Sequence, residues 1–413
     1  MKRKMFTKLC AVGCAAALML SGCGGPAQTT SEETASQEEK EQEESVSAED
    51  EEDVDSSVDY TPSTGKTSHV DGEGEEINLA FVLYNWTDDQ GTYLESYLEY
   101  LEKNMNISVE CVSYSDSVED MIDVIESLCS KGVDGIAVAS DDGFQSWSDI
   151  CEENEVYYSI MLGCLSDEDD REYAKDLKYY LGSLGTYDYT FLGEAYGDFI
   201  AEQGYQNVLI AKPSRGLQDQ ADQMGDGVIP VLEENNISYN LIESSWGDMF
   251  SSVAAELASD SYDAIYCPLS IMSFGLPNIY ANNLVGKTVA MGHGTDETMS
   301  DVYGSLITMF SDNLTTSVGV NVAMTINAIE GNQYPDYPEG EAVNIQSPTF
   351  IIQSEEDFET YTEYVRNYED PVYYISYTAV EDMIQSYNPE ATYNGIKDYI
   401  ENLSIENLAE NAK

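Results

Sequence analysis

From Ile77 onward, two kinds of hydrophobic pattern alternate along the chain. The stretch INLAFVLY (77–84) is a short continuous apolar run, which is typical of a strand buried on both faces. The next stretch, GTYLESYLEYLEKNM (91–105), instead has apolar side chains at the three- and four-residue spacing of a half-buried helix. A strand-like run, ISVECVSY (107–114), and a second helical stretch, 117–133, follow. This strict alternation predicts a parallel sheet with helices on both faces.

The alternation runs through the chain twice. A first series ends with the strand-like run YYSIMLGC (157–164), and a second begins with the helical stretch TFLGEAYGDFIAEQ (190–203) and continues to about residue 331. We therefore expect an α/β fold of two Rossmann-like lobes, in which a ligand lies beyond the carboxyl ends of the strands. Six residues fall at predicted strand ends of this kind: Tyr84, Ser140, Cys164, Lys212, Ser270 and His293.

The N-terminus has the pattern of a targeting segment. A basic stretch (2–8) precedes the apolar run LCAVGCAAALML (9–20), which is too short for a stable membrane-spanning helix. The following LSGC (20–23) resembles the bacterial lipobox, in which residues 1–22 are removed as a signal peptide and Cys23 carries lipid at the mature N-terminus. The resemblance implies a lipid-anchored protein on the outer face of a bacterial cell membrane. An ordinary signal peptide that happens to contain Cys23 is the alternative.

Residues 23–76 are predicted to form a disordered acidic linker. Between residues 31 and 60 there are 14 acidic residues and one base, Lys40, with almost no large apolar side chain. Such a segment buries too little surface to offset the entropy of ordering, and like-charge repulsion extends it. The linker would hold the folded part away from the membrane. The alternative is a solvated tail without this role, which would have the same extended structure.

Charge and cysteine content exclude several classes of function. The chain has 78 acidic and 17 basic residues, a net charge of −61, so nucleic acid is excluded as a partner. The five cysteines after residue 23 are scattered, and only His69 and His293 are present, which gives no metal-site spacing. No P-loop, nucleophile elbow or His-Glu-x-x-His motif occurs. We therefore expect no metal, no cofactor and no catalysis.

Three segments occur in a specific order. INLAFVLYNW (77–86) has the form of a first strand and its loop. SLCSKGVDGIAVASDD (127–142) combines a helix, a Lys-Gly turn and a strand, and VAMGHGTDETMSDVYGSLITMFSDN (289–313) follows the pattern VxGFDGTxxxxxxIxxGxLxATVxQ. Their order resembles the type 1 periplasmic binding proteins, the ribose- and galactose-binding group of sugar transporters. The likeness covers residues 77–350.

The resemblance implies a domain organisation. It implies two lobes with parallel sheets that are joined by a three-strand hinge. Lobe 1 would comprise about 77–187 and 314–343, and lobe 2 about 188–313 and 344–350. Residues 351–413 would form a helical C-terminal extension, whose aromatic residues at helical spacing are expected to pack rather than to recognise a ligand.

The resemblance also implies a function. It implies a monomeric solute-binding lipoprotein of an ABC importer, which captures a sugar or a similar small polar ligand by hinge closure and then contacts a membrane permease. Two alternatives stay open: a sensory receptor coupled to a membrane kinase, and a lipoprotein that binds a nucleoside or an autoinducer. An enzyme such as a surface glycosidase is the least favoured alternative, because the catalytic motifs are absent.

The candidate ligand residues in lobe 1 follow from sugar chemistry, since flat aromatic rings hold the apolar face of a sugar and carboxylates or amides hold its hydroxyl groups. Trp86 alternatively packs over the start of the first helix, Asn85 alternatively only turns the chain, and Asp89 and Asp141 alternatively cap helices. The candidates are Tyr84, Asn85, Trp86, Asp89, Ser140 and Asp141.

The remaining candidates lie at the lobe crossings and in lobe 2. The resemblance places a ligand carboxylate at Asp188 and a ligand amide at Asn313, for which helix capping is the alternative. Ser270 and His293 stand where the sugar-binding members have acidic residues, and Arg215 is a base near the expected cleft that alternatively forms a surface ion pair. The family's carboxylates and arginine are thus not all present, so the ligand is less well defined than the fold.

Overall fold

The computed structural model describes residues 62–115, 117–186, 188–259, 261–367 and 373–408. The predicted signal peptide, the predicted lipid attachment at Cys23 and the acidic linker up to residue 61 lie outside the described residues. The described strands form two six-stranded sheets, one in each lobe.

The sheet of lobe 1 consists entirely of parallel pairs, in the order β11-β5-β4-β3-β1-β2. The central strand β1 is buried at six of its seven positions, as its continuous apolar run predicts. The strands of lobe 1 are β1 (Ile77–Leu83), β2 (Ile107–Ser113), β3 (Gly135–Val138), β4 (Tyr157–Ile160), β5 (Tyr180–Leu184) and β11 (Asn344–Ile345).

The sheet of lobe 2 has the order β12-β10-β9-β8-β6-β7, in which β12 pairs antiparallel with β10 and the other pairs are parallel. The strands of lobe 2 are β6 (Asn207–Pro213), β7 (Ser238–Ser244), β8 (Ala264–Cys267), β9 (Val289–His293), β10 (Ile307–Asn313) and β12 (Thr349–Ile352). The two sheets with their helices confirm the predicted α/β class with two Rossmann-like lobes.

Helices connect successive strands, and local sequence sets their ends. In α2, the Ser117 side chain accepts a hydrogen bond from the N–H of Asp120 at the start, and Gly132 adopts a left-handed conformation at the end (φ 85°). In lobe 1 the helices are α1 (Asp89–Asn104), α2 (Val118–Lys131), α3 (Phe144–Asn154), α4 (Glu168–Ala174) and α10 (Val318–Ile329). In lobe 2 they are α5 (Thr190–Glu202), α6 (Asp219–Glu234), α7 (Trp246–Ser259), α8 (Ile271–Ala281) and α9 (Met299–Val302).

Two glycines let α5 and α6 approach closely. A Cβ atom at Gly193 would lie 2.1 Å from the carbonyl oxygen of Met224, and one at Gly227 would lie 2.2 Å from that of Thr190. Because these neighbours are backbone atoms, no side chain can be accommodated without moving a helix. The helix pair forms a compact face of lobe 2 just after the first crossing.

The chain crosses between the lobes after β5, after β10 and between β11 and β12. The predicted lobe boundary at residue 343/344 is wrong, because Asn344 and Ile345 pair with Ser183 and Leu184 of lobe 1. Lobe 2 likewise continues past residue 350, because β12 extends to Ile352. Strand β11 was missed because two residues are too few to show a hydrophobic period, and β12 was missed because its last two residues were assigned to the helical tail.

The predicted linker boundary at Ile77 is also too late. Thr67 and Ser68 are fully buried. The buried carboxylate of Glu330, just after α10, accepts hydrogen bonds from both the N–H and the hydroxyl of Ser68, each at 2.8 Å. Residues 62–76 therefore belong to the folded body of lobe 1, since polar side chains with buried partners order a segment that has few apolar residues.

The C-terminal extension contains the helices α11 (Glu355–Tyr364), α12 (Tyr377–Asp382) and α13 (Tyr393–Glu401). It packs against α1 through a stripe of polar and aromatic side chains at helical spacing. The Tyr93 and Tyr97 hydroxyls donate to the carbonyl oxygens of Val365 (3.0 Å) and Ile375 (2.8 Å). None of the described helices combines the length and apolar character that crossing a bilayer requires.

Candidate functional site

The loop between β1 and α1 is held by its own polar side chains. Asn85 Oδ1 accepts hydrogen bonds from the N–H (2.9 Å) and the hydroxyl (2.8 Å) of Thr87, so the Asn85 amide turns the chain. The Tyr84 hydroxyl donates to Asp88, which also caps α1 by accepting from the N–H of Gly91. Tyr84 is 49% exposed, so its ring remains accessible at the strand end.

Trp86 lies under this loop and is 8% exposed. Its ring packs into the apolar core that also contains Leu83 and Leu94. Its indole N–H has no hydrogen-bond acceptor among the residues that the structure describes. A buried donor without an acceptor costs free energy.

A comparable atom lies at a strand end of lobe 2. Thr295 follows β9, and its buried hydroxyl has no partner within the described part of the chain. Thr295 was not among the predicted site residues, although it occupies the Thr position of the VxGFDGT pattern. Trp86 in lobe 1 and Thr295 in lobe 2 are thus among the described residues whose buried polar atom has no protein partner, and both follow the carboxyl end of a strand.

The polar residues after β3 connect neighbouring loops. The Ser140 hydroxyl donates to Asp142 (2.8 Å). Asp141 Oδ2 accepts from the N–H (2.8 Å) and the hydroxyl (2.6 Å) of Ser166, which follows β4. Both candidates thus lie at the predicted strand end, but their side chains already have protein partners.

The two residues placed at the lobe crossings also have local partners. Asp188 is exposed, and its carboxylate accepts from the N–H of Thr190 at 2.7 Å. Hydrogen bonds from Thr190 lower the pKa of Asp188 below its ordinary value. Asn313 accepts from the Thr349 hydroxyl at 2.7 Å, across the β10–β12 pair. Asp188 therefore has a backbone partner at the start of α5, and Asn313 connects the strands of two crossings.

Two basic side chains of lobe 2, the candidate Arg215 and the strand-end residue Lys212, are both paired with carboxylates. Arg215 forms a bidentate ion pair with Asp226, and both side chains are more than half exposed. The surface alternative thus describes Arg215 better than a ligand role. Lys212, at the end of β6, is 1% exposed and is paired with Asp222 and Glu243. Burial tends to raise the pKa of Asp222, but hydrogen bonds from Lys212 and from a backbone N–H outweigh this effect and lower it.

Ser270 has an unusual backbone conformation at the end of the β8 segment. Its φ of 56° and ψ of 45° are left-handed, which a non-glycine residue adopts at a cost. Its side chain does not cap α8, although Ser270 immediately precedes that helix. The strained backbone therefore directs this serine away from its usual capping role.

His293 ends β9 and is bonded to the neighbouring strand. Its Nδ1 lies 2.9 Å from the hydroxyl oxygen of Ser311 on β10. Burial lowers the pKa of His293; the charge of Asp312 opposes this effect and that of Arg366 adds to it. The ring is therefore neutral at pH 7, with one nitrogen that donates and one that accepts.

A buried arginine in this region, Arg366, was not predicted. Its side chain is 2% exposed. Its guanidinium donates to Asp89 of α1 at 2.8 Å, to Asp312 of β10 at 2.9 Å and to the Thr315 hydroxyl at 3.2 Å. It also lies over the Tyr93 ring, 4.8 Å from the centroid. Asp89, a predicted ligand residue, is thus held by a protein cation.

Arg366 lies in the tail, which was predicted to serve packing alone. The signal available was the sequence ETYTEYVRNY (359–368), where a single arginine follows aromatic residues at helical spacing. In a chain with few bases, an arginine beside an apolar helix face indicates a buried partner. Which carboxylates it would meet depends on contacts more than 50 residues apart, which no local pattern contains.

A separate cavity of about 930 Å³ lies between the tail and the C-terminal half of α1. Tyr100, Tyr373 and Tyr399 line it, with Asp382 and Glu390 near its exposed rim. Its walls contain none of the strand-end residues described above. Among the described residues, no group of three potential His, Cys, Asp or Glu ligands could hold a metal ion.

No protein-family model matches the chain, and no curated protein matches it significantly. The fold is nevertheless similar to solved structures. A periplasmic solute-binding protein of an ABC transporter from Actinobacillus succinogenes, with bound D-allose, is 18% identical; the match covers 68% of this chain and 98% of that one, with a TM-score of 0.57. A periplasmic ribose ABC transporter protein from Conexibacter woesei is 16% identical over 72% of this chain and 96% of that one, with a TM-score of 0.51.

The same fold is also found in a protein of another class. A LacI family transcriptional regulator from Enterococcus faecium, with bound ribose, is 14% identical over 67% of this chain and 96% of that one, with a TM-score of 0.51. At such identities the likeness concerns the fold, and function has to be argued from the site. The chain has the two-lobed α/β fold of the type 1 periplasmic binding proteins, as the order of its motifs predicted.

Proposed function

We propose that this protein is an extracytoplasmic solute-binding lipoprotein that captures a sugar or a similar small polar ligand between its two lobes. The fold supports this proposal, since solved proteins with the same fold were crystallised with D-allose and with ribose. The acidic composition and the targeting pattern at the N-terminus favour a binding protein outside the cytoplasm over a transcriptional regulator.

The single observation that carries the proposal is the pair of unsatisfied polar atoms at strand ends of both lobes. The Trp86 indole donates only, whereas the Thr295 hydroxyl donates and accepts. A sugar hydroxyl can serve both groups, since it is donor and acceptor at once. The neutral His293 ring adds a further group of mixed character, which suits a neutral polyol better than an anion.

The proposed contacts form a smaller set than the sequence indicated. Asn85, Ser140, Asp141, Asp188 and Asn313 have the partners described above and are proposed to shape the loops around the ligand. Asp89 and Arg215 are proposed to act in ion pairs. The proposed ligand-contacting residues are Tyr84, Trp86, Ser270, His293 and Thr295.

The proposed mechanism is binding without chemistry. Closure of the lobes would bury the ligand and present a closed surface to an ABC permease, while lipid on Cys23 would keep the protein near that permease. A ligand would stabilise the closed arrangement only to the extent that it binds this arrangement more tightly than the open one.

A ligand screen tests the proposal. The mature chain with Cys23→Ser would be screened by thermal shift against sugars, polyols, nucleosides and autoinducer-like molecules, and every hit would be measured by calorimetry. We expect at least one sugar or polyol to raise the melting temperature and to be recovered unchanged. Binding of nucleosides alone would contradict the sugar class, and turnover of a sugar would contradict binding without chemistry.

A transport assay tests the importer role. Deletion of the gene is expected to abolish uptake of the radiolabelled hit, and re-expression of the intact chain is expected to restore it. Unchanged uptake, together with a lost transcriptional response to the same sugar, would instead identify a receptor coupled to a kinase.

A further inference from the structure

The chain contacts both lobes again after its third crossing. Along α11, Phe358 stacks on Tyr303 (centroids 4.4 Å apart) and Tyr361 packs edge-on against Phe310 (5.1 Å), so α11 belongs to lobe 2. By Tyr373 the chain is on lobe 1, where the Tyr373 hydroxyl lies 2.6 Å from that of Ser96 on α1. The tail therefore passes between the lobes a fourth time, beyond the three crossings that the resemblance implied.

Arg366 is located at this fourth passage and bonds to both lobes. One guanidinium nitrogen donates to Asp89 at the start of α1, in lobe 1, and another donates to Asp312 on β10, in lobe 2. Asp312 also accepts from the Tyr361 hydroxyl at 2.6 Å, so its carboxylate has two donors. The planar guanidinium is suited to such a bridge because its donors are fixed in a fork.

The bridge is largely buried, so breaking it by moving the lobes apart would cost free energy. The side chains of Arg366, Asp89 and Asp312 are 2%, 27% and 8% exposed. Salt screens buried charges only weakly, and a charge that loses its partner in the interior is strongly unfavourable. Opening the lobes so far that Asp89 leaves Asp312 would break one half of the bridge.

We propose that Arg366 is a positioning residue for ligand capture, which ties lobe 1 to lobe 2 through Asp89 and Asp312 and so restricts the lobes to a narrow range of angles. This inference rests on the proposed function for its effect on affinity, but its structural part concerns the protein without ligand. The apparent affinity for a ligand is reduced when only a fraction of the molecules has the binding-competent lobe angle. A bridge that holds the lobes near this angle raises that fraction and therefore the affinity.

The test compares Arg366→Met with Arg215→Met. Both remove an arginine from an ion pair, but Arg215 is paired with Asp226 inside lobe 2 and does not bridge the lobes. Small-angle X-ray scattering of the mature, ligand-free chain is expected to show a larger radius of gyration for Arg366→Met than for wild type, and no change for Arg215→Met. Arg366→Lys should recover only part of the difference, because an ammonium group is a point charge without the fork.

A coupling measurement separates positioning from general damage. Asp89→Asn is expected to expand the wild-type chain in scattering but to add nothing to Arg366→Met, since both remove the same bridge. If Arg366→Met does not fold, Arg366→Lys and Asp89→Asn carry the comparison. Identical scattering of wild type and all bridge variants would overturn the proposal, even if affinity changed.

Affinity is the second readout, with D-allose as the first probe and the best sugar of the screen as the second. We expect Arg366→Met to weaken binding about tenfold, with no effect of Arg215→Met. If no sugar binds wild type, the proposed function fails while the scattering comparison still decides the role of Arg366. If scattering changes as expected and affinity does not, the bridge does not position the ligand site, and the proposal fails at that step.

Discussion

At the residue scale, the proposed function depends most on the indole N–H of Trp86. The quoted loop sequence, Tyr-Asn-Trp, predicted an aromatic and polar lip. The structure divides the roles: Tyr84 is exposed, Asn85 turns the chain, and Trp86 is buried with its N–H unsatisfied. Packing of the ring accounts for its burial, and the N–H is the part of the side chain that remains without a partner in the described chain.

The Trp86→Phe variant tests that use. It keeps an aromatic ring and removes the donor, so ligand affinity is expected to fall by about 1 kcal/mol, roughly fivefold, when measured by calorimetry. In the absence of ligand, the substitution removes no hydrogen bond within the described chain, so the free energy of unfolding should not fall through the loss of one.

A matched control exists within lobe 1. Trp147 on α3 is fully buried, and its indole N–H also lacks an acceptor among the described residues, but it packs against Phe144 and Tyr158 in the lobe core. Trp147→Phe is expected to leave ligand affinity unchanged. Equal losses of affinity in both variants would indicate a packing effect and remove Trp86 from the site.

His293 gives a pH dependence whose sign follows from its burial. Its pKa is below the ordinary 6.5 in the folded chain, so between that lower value and 6.5 the unfolded chain binds more protons. The stabilising contribution of the neutral ring is complete above pH 6.5 and is lost as the pH falls. His69 acts in the same direction, because burial lowers its pKa although the charge of Glu330 opposes this.

Urea denaturation at pH 5, 6 and 7 measures this effect. The free energy of unfolding should decrease towards pH 5, and His293→Asn should reduce the decrease. The His69→Asn variant provides the comparison, and the double variant should show the smallest dependence. A pH dependence that is unchanged in all three variants would show that neither histidine is buried in its neutral form in solution.

At the scale of elements, the hydroxyl groups of α1 explain the position of the tail. Leucine at positions 93 and 97 would satisfy the helical period equally well, but only tyrosine also donates to the tail backbone at Val365 and Ile375. The tyrosine stripe thus combines hydrophobic burial with hydrogen bonds to two carbonyl oxygens of the tail.

Tyr97→Phe is expected to destabilise the chain by roughly 1–3 kcal/mol, because the Ile375 carbonyl would stay buried without its donor. Chemical denaturation measures the loss. Tyr280→Phe, at a half-exposed position on α8, is the matched control and is expected to change the free energy of unfolding by less than about 0.5 kcal/mol. A loss in the control as large as that in Tyr97→Phe would argue against the tail contact.

The same scale shows which elements a sequence can specify. Strands such as β1 and helices such as α2 were predictable, because each carries its own burial pattern and α2 also its caps. Strand β5, with Gly182 in a left-handed conformation and Ser183 in its interior, was missed, as were the short strands β11 and β12. Their register is set by neighbouring strands rather than by local residues.

At the scale of the whole molecule, the two-lobed arrangement followed from the repeated alternation, whereas the coupling of the lobes did not. The order of motifs implied three crossings, and the structure adds the fourth passage marked by Arg366. Residues 89, 312 and 366 are far apart in sequence, and only the folded arrangement of both lobes brings them together. Site residues were predicted to lie at strand ends, and Trp86, Ser270 and His293 do lie there. Whether the polar group of a candidate already has a protein partner depends on residues distant in sequence, so it could not be predicted.

The predicted lipid on Cys23 would be the attachment of the whole molecule to the membrane. A net charge of −61 repels the chain from anionic lipid, so no peripheral binding can replace a lost anchor. Cys23→Ala is therefore expected to move the protein from the membrane fraction to the soluble extracytoplasmic fraction. The measurement is immunoblotting after cell fractionation.

Cys14→Ala is the matched control, since it changes a cysteine inside the predicted signal peptide and leaves the LSGC motif intact. This variant should stay in the membrane fraction, and metabolic labelling with a fatty acid should mark it but not Cys23→Ala. Retention of Cys23→Ala in the membrane fraction after a high-salt wash would contradict a lipid anchor at Cys23. Because the acidic linker separates Cys23 from residue 62, loss of the anchor should leave sugar affinity in solution unchanged, which separates attachment from recognition.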